Sequence, residues 1–378
     1  MSVQFGVDHL LLLKPSWKQL RIGMLTNDAA KTCDGIPSRK ALIDQGFNLV
    51  QLFSPEHGID TNGKDGAFMK DGLDPITHLP IVSLYGNKFA PEATDLENID
   101  LLLFDVPDAG TRFYTFLWSM SYFVEAAAKY NKKIVLLDRP NPLSGNFDLA
   151  EGPLLDPAVS SFIGRFSIPV KHQATLGELA LYFNHLMDWK ADIEIVKCSG
   201  WKRWHTFFEW GLPWVKTSPA IQNFESCLLY PGLCFFEATN LSIGRDTAFS
   251  FEWIGAPWLK VDTLTAIMNQ VLGDDLKIEP LKEAVRLKVK EPSNYKAVMN
   301  GLIMLKLIKD IHPADFIWAP YPTEHNKTGE GHLSKLLGIP NAEKLFDLPL
   351  KDWLQQLSKL LRVNHWRQKM EPFLLYGE

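Results

Sequence analysis

Hydrophobic and polar positions alternate along this chain in blocks. Near-continuous apolar runs fall at Arg21–Leu25, Leu49–Phe53, Ile81–Leu84, Leu101–Asp105, Ile134–Asp138 and Ile193–Val196. Strands covered on both faces read this way, whereas half-exposed strands alternate. Between them lie helical patterns. One follows Pro37-Ser38 and stops at Gly46, and another spans Trp118 to Tyr130. A third starts at Thr175, which with Glu178 forms a capping box, and runs to His185. The β-α-β order predicts an α/β fold with a Rossmann-like, doubly wound parallel sheet.

Beyond Gly152-Pro153 the pattern changes. Residues 201 to 258 are rich in aromatics, prolines and glycines with little periodicity, as expected of a binding surface. Helical periods return at Thr263–Leu272, Tyr295–Lys309 and Lys351–Leu361. We expect a Rossmann-like domain over residues 1–160 and an α+β auxiliary domain over 161–378 that completes a cleft.

Three strand patterns end in dense polar knots: Ser54-Pro55-Glu56-His57-Gly58, Asp105 to Arg112, and Asp138-Arg139-Pro140-Asn141-Pro142. Parallel α/β sheets bind ligands beyond the carboxyl ends of their strands, so these knots are candidate site loops. Glu56 sits on a turn confined by Pro55 and released by Gly58. Partly desolvated, it would serve as a general acid; otherwise it caps a helix. Asp105 and Asp108 would orient a neighbour or hold a hydroxyl, or pair with Arg112 as support. Arg112 and Tyr114 offer a guanidinium and a phenol to an anionic ligand. In the proline-fixed loop, Asp138 and Arg139 are either site groups or each other's partners. His172 is a histidine outside any helical pattern, a site group or a satisfied hydrogen-bonding residue. Glu237, Asn240 and Arg245, among aromatics, have the composition of a sugar-binding loop.

Other features narrow the function by exclusion. The chain has 378 residues and a net charge of −5, which offers no basic footprint for nucleic acid. Leu10–Leu13 is too short for a membrane span or a signal core, so the chain as written reads as cytoplasmic, or periplasmic or secreted if a leader has been removed. Four dispersed cysteines form no zinc pattern and no disulfide framework. The phosphate-binding glycine motifs, the serine-hydrolase elbow and the zinc-peptidase motif are all missing. Carboxylate chemistry with no cofactor and no metal is what remains.

The ordered motifs also carry a family resemblance. Gly23-Met24-Leu25-Thr26-Asn27, Phe53 to Gly58, Ser83-Leu84-Tyr85-Gly86, Phe104 to Tyr114, Asp138 to Pro142 and Glu151-Gly152-Pro153 appear in sequence. His172 with Thr175 to Leu179, Leu212-Pro213-Trp214, Ser218-Pro219, Tyr230-Pro231-Gly232 and Glu237 to Ser242 follow. Together they resemble the family once catalogued as DUF1343 and now associated with the exo-β-N-acetylmuramidase NamZ, over nearly the whole chain. The resemblance implies a glycoside hydrolase releasing N-acetylmuramic acid from the non-reducing ends of peptidoglycan fragments, with its active site in a cleft between two domains. It implies Glu56 as the catalytic candidate. Glu237 or Asp105 would be a second carboxylate, or the substrate's acetamido group would take that part. Arg112, Arg139 and Arg245 are the candidates for the lactyl carboxylate, with His57, Asp108, Tyr114, Asn141, Glu151, His172 and Asn240 as further substrate contacts. The chain departs from the family pattern at Asp28-Ala29-Ala30, Pro107 and Ile243 to Thr247, in loops that would meet substrate. A muropeptide-binding protein without turnover, a hydrolase of another amino sugar and a nucleotide-binding Rossmann protein are the competing readings.

Overall fold

The computed structural model describes residues 2–377. Its centre is a sheet of seven strands: β1 (Ile22–Thr26), β2 (Leu49–Ser54), β3 (Gly72–Leu73), β4 (Pro80–Ser83), β5 (Leu101–Asp105), β6 (Lys133–Leu137) and β7 (Ile193–Val196). The order is β3-β4-β2-β1-β5-β6-β7, and every pairing is parallel except the β3 edge. β1 and β5 are buried at all five positions, which explains their unbroken apolar runs.

Side-chain alternation divides the sheet into two faces. Leu101, Leu103, Val135 and Leu137 pack with Val7 and Leu10 of α1 (Gly6–Leu12) and Leu42 of α2 (Ser38–Asp44). Leu102, Phe104, Ile134 and Leu136 point the other way, toward α3 (Phe116–Lys129) and α4 (Leu176–Leu186). Helices on both faces make the sheet doubly wound, as its sequence predicts. Thr175 caps α4 with the expected reciprocal Glu178 box. The side chain of Asp138 strengthens that cap, accepting from the Thr175 hydroxyl at 2.7 Å and the Gly177 N–H at 2.9 Å.

The second domain is α+β. It contains α5 (Phe224–Leu233), β8 (Trp253–Gly255), α6 (Val261–Leu272), β9 (Leu276–Pro280), β10 (Ala284–Val289), α7 (Ala297–Ile311), α8 (His332–Leu337), α9 (Leu350–Leu360) and α10 (Trp366–Met370). Its antiparallel sheet has the order β8-β10-β9. The helical periods predicted for α6, α7 and α9 appear within two residues of their expected bounds. Helix α5 lies inside the segment that reads as irregular. It is buried along almost its whole length and holds Pro231, so it shows neither an amphipathic stripe nor an uninterrupted helical pattern. Gly232 of α5 meets Gly301 of α7 backbone to backbone, a contact closed to any larger residue.

The two domains share one apolar core. Two polar anchors cross it. Arg112 is fully buried and donates to the carbonyls of Pro153 (2.7 Å), Ile168 (2.9 Å) and Leu336 (2.9 Å). Glu151 accepts the N–H groups of Val298 at 3.3 Å and Met299 at 2.9 Å, in the first turn of α7.

Candidate active site

The carboxyl ends of β2 and β4 open into a cavity closed on its other side by the second domain. The first contributes Glu56 and His57, the second Tyr85, and α8 supplies His332, Lys335 and Leu336. Ser218, Ile221, Tyr230, Glu237, Arg245 and Tyr321 complete much of the far wall. Glu56 is only 4% exposed. Its Oε1 accepts the Gly66 N–H at 2.8 Å and its Oε2 the Thr115 hydroxyl at 2.6 Å. Gly66 has φ +64°, a left-handed conformation that suits glycine and turns its N–H onto the carboxylate. Burial raises the Glu56 pKa above the ordinary carboxylate range, and nearby Asp65 adds to the rise, while His57 and the two hydrogen bonds oppose it.

His57 is itself left-handed, with φ +67°. Its Nδ1 lies 2.8 Å from the carbonyl of Gly63. A carbonyl can only accept, so Nδ1 carries a proton and Nε2 is the nitrogen left to face other groups. Asp65 accepts a hydrogen bond from Tyr321 Oη at 2.9 Å and lies 3.5 Å from Arg245 Nη2. Burial pushes its pKa up, but Arg245, His57 and the Tyr321 hydrogen bond outweigh that and hold it below the usual range. Glu237 accepts from Arg245 Nε at 2.7 Å and again from Nη2, and His332 Nε2 lies 3.3 Å from its other oxygen. The His332 ring stacks on Tyr321 at 4.6 Å. Three carboxylates thus share one cavity, one with a raised pKa and two bound to Arg245.

Of the residues singled out from sequence, Glu56, His57, Tyr114, Glu237 and Arg245 are brought together here. The others lie outside the cavity wall. Asp105 forms a bidentate pair with Arg139 at 2.5 and 2.9 Å, so its partner is neither Arg112 nor a hydroxyl ligand. Asp138 therefore does not pair with Arg139; it caps α4. Asp108 lies 3.2 Å from the fully buried His172. Asn141 ties Leu143 N of its own loop to Ala174 O just ahead of α4, and Asn240 bridges Asp315 O and Ile317 N. Arg112 and Glu151 are the interdomain anchors already described. Asp108 and Arg139 do line a separate aromatic hollow with Phe207, Trp210 and Trp214, beyond β5 and β6.

Asp65, Tyr321, His332 and Lys335 carry chemistry in the cavity but were not singled out from sequence. Asp65 sits in an ordinary polar turn, Lys64-Asp65-Gly66, with no strand end before it. Only the glycine pattern of Gly329-Glu330-Gly331 ahead of His332 offered a local signal. Glu56, His57 and Asp65 each place one potential metal-ligand atom within 4.8 Å of the others. Both Glu56 oxygens and one Asp65 oxygen also hold hydrogen bonds within the protein.

Two family models, the N-terminal and C-terminal domains of exo-β-N-acetylmuramidase NamZ, match residues 22–225 and 228–376. The chain belongs to the NamZ family. It is 36% identical over 374 residues to the peptidoglycan β-N-acetylmuramidase NamZ of Bacillus subtilis (strain 168), covering 95% of this chain and 90% of that one. Crystal structures of two DUF1343 family proteins of Bacteroides fragilis NCTC 9343 share the fold. One matches with a TM-score of 0.85, over 100% of this chain and 99% of its own. The other matches with a TM-score of 0.71 over 100% of both chains. Both are 24% identical to it. The resemblance seen in the ordered motifs is therefore membership of the NamZ family. The cavity built by Glu56, Asp65 and Glu237 lies where the two NamZ domains meet. Among the described residues, no helix is long and apolar enough to cross a membrane.

Proposed function

We propose that this protein is an exo-β-N-acetylmuramidase that hydrolyses the terminal β-linked N-acetylmuramic acid of peptidoglycan fragments, with Glu56 as its general acid. The observation that carries the reading is the placement of Glu56. It is a buried carboxyl with a raised pKa, just beyond a strand end, lining the cavity between the two domains in a chain of the NamZ family. A raised pKa keeps the carboxyl protonated to higher pH than an ordinary carboxylate, which suits a group that gives a proton to the leaving oxygen. Tyr85, Phe162 and His325 give the cavity an aromatic side suited to sugar C–H faces.

N-acetylmuramic acid differs from N-acetylglucosamine by a lactyl carboxylate, so its recognition calls for a cation. Arg112 spends its donors on three carbonyls, and Arg139 on Asp105 and the carbonyl of Lys31. Arg245 lines the cavity but is already shared by Glu237 and Asp65. Lys335 lines the same cavity, and among the described residues its ammonium donates only to the carbonyl of Glu330, at 3.0 Å. It takes the lactyl carboxylate in this reading, and Arg245 orders the acidic groups.

The test is release of para-nitrophenol from para-nitrophenyl β-N-acetylmuramide. Wild type should turn it over, and Glu56→Gln should lose at least about a hundredfold of kcat/KM while keeping its fold. Lys335→Met should raise KM for the muramide and leave KM for the matching N-acetylglucosaminide unchanged. A wild type inert on both sugars would defeat the reading. Equal effects of Lys335→Met on both sugars would remove Lys335 from carboxylate recognition.

A further inference from the structure

We propose that Asp65 is the catalytic nucleophile of this cavity and that hydrolysis retains the configuration at the anomeric carbon. This rests on the glycosidase reading above and settles a point that reading leaves open, the identity of the second group and the stereochemistry.

Geometry selects Asp65. An oxygen of Asp65 and an oxygen of Glu56 lie within 4.8 Å of each other. Inverting glycosidases hold their carboxyl groups about 6.5–9.5 Å apart to seat a water between sugar and base, whereas retaining enzymes hold them about 5–5.5 Å apart. The Glu56–Asp65 spacing falls on the retaining side of these ranges. Each other carboxylate considered is otherwise engaged. Asp105 is closed in its pair with Arg139, and Glu237 has Arg245 on one oxygen and His332 on the other. Asp65 has its Oδ2 toward Tyr321 and Arg245, and among the described residues no hydrogen bond reaches Oδ1. Its side chain is 31% exposed and lines the cavity, whereas that of Glu237 is 4% exposed. The environments of the two groups also diverge, Glu56 upward and Asp65 downward, which separates a proton donor from an anion at one pH.

In the first step Glu56 gives its proton to the glycosidic oxygen. The bond from that oxygen to C1 breaks with its electron pair leaving on the protonated oxygen, as a lone pair of Asp65 Oδ1 forms the new bond to C1. In the second, the Glu56 carboxylate removes a proton from water, the water oxygen bonds to C1, and the ester electrons return to Asp65. Arg245 and Tyr321, beside Oδ2, stabilise the carboxylate as it is released. Two inversions leave the sugar in its original β configuration.

The experiment combines proton NMR of the first-formed sugar anomer with the variants Asp65→Asn and Asp65→Ala, assayed on para-nitrophenyl β-N-acetylmuramide with and without azide. The expected results are a β-anomer before mutarotation, loss of at least about a hundredfold in kcat for both variants, and an α-glycosyl azide formed by Asp65→Ala. An α-anomer formed first by the wild type would overturn the proposal without any variant having to fold. So would Asp65→Asn turning over within a few fold of wild type. Retention with an inactive Asp65→Ala that azide does not rescue would move the attack to the substrate's own acetamido oxygen and overturn the nucleophile assignment. A wild type that cleaves no 2-acetamido glycoside is a different failure, that of the glycosidase reading itself, and this inference would fall with it.

Discussion

Asp105→Asn tests whether the aspartate at the end of β5 is a support or a participant in the chemistry. Asp105 is fully buried and its partner Arg139 is 8% exposed, with nitrogen–oxygen distances of 2.5 and 2.9 Å. Asparagine keeps the shape and one acceptor oxygen but removes the charge, leaving a guanidinium in a poorly solvated place. Breaking one side of a buried ion pair costs about 3–5 kcal/mol. Arg139 retains the carbonyl of Lys31 and the hydroxyl of Ser38, so the low end, about 3 kcal/mol, applies. At roughly 2.1 cal/mol/K of unfolding entropy per residue over the 378-residue chain, that lowers Tm by about 4 °C. The shift is larger if the sheet domain melts by itself. Thermal denaturation followed by circular dichroism, with kcat on the muramide at a temperature below both transitions, makes the measurement. The expected result is a lower Tm with kcat within a few fold of wild type. A hundredfold fall in kcat at unchanged Tm would place Asp105 in the chemistry and refute this account. Asp105→Leu with Arg139→Met should recover most of the lost stability, because a matched apolar pair removes the stranded charge.

Two further outcomes follow from the same physics. Because Glu56 titrates above its unfolded value, its folded form is favoured below the ordinary carboxylate range and penalised as pH rises through the raised pKa. Glu56→Gln should therefore raise Tm at pH 8 and leave it near wild type at pH 4, and kcat should fall on the alkaline side through that same ionisation. Equal Tm shifts at both pH values would mean that Glu56 is not buried as a charge. Gly301→Val should drive α7 away from Gly232 and cost at least about 1–3 kcal/mol by overpacking, read as a lowered Tm. An unchanged Tm would show that α5 and α7 do not meet as described.

The strands show how much could be read locally. β5 and β7 have the bounds that their apolar runs predict, and β1, β2, β4 and β6 differ by a residue or so at one or both ends. Burial on both faces leaves a mark in a few consecutive residues, so local sequence suffices. Helix α5 left none, because burial all round erases amphipathic periodicity and Pro231 reads as a break. Strands β9 and β10 show no apolar run in the sequence either. β9 alternates buried and exposed residues over its first four positions, and both strands lie in a charged stretch that breaks up any apolar run.

The sequence by itself determined the parallel sheet, the strand-end turn that carries Glu56, and the family. Each depends on residues close together in the chain or on ordered motifs. The tertiary structure alone decided which of the polar residues share a cavity. Arg112, Arg139 and Arg245 look alike as arginines beside candidate loops, yet one holds three carbonyls, one neutralises Asp105 and one binds two acids in the cleft. Asp65 and Lys335 carry no local mark at all. They stand 270 residues apart and meet only because the second domain folds over the carboxyl edge of the sheet. A side chain's charge is written in the sequence. What that charge faces depends on contacts between distant segments, and those form only when the two domains share a core.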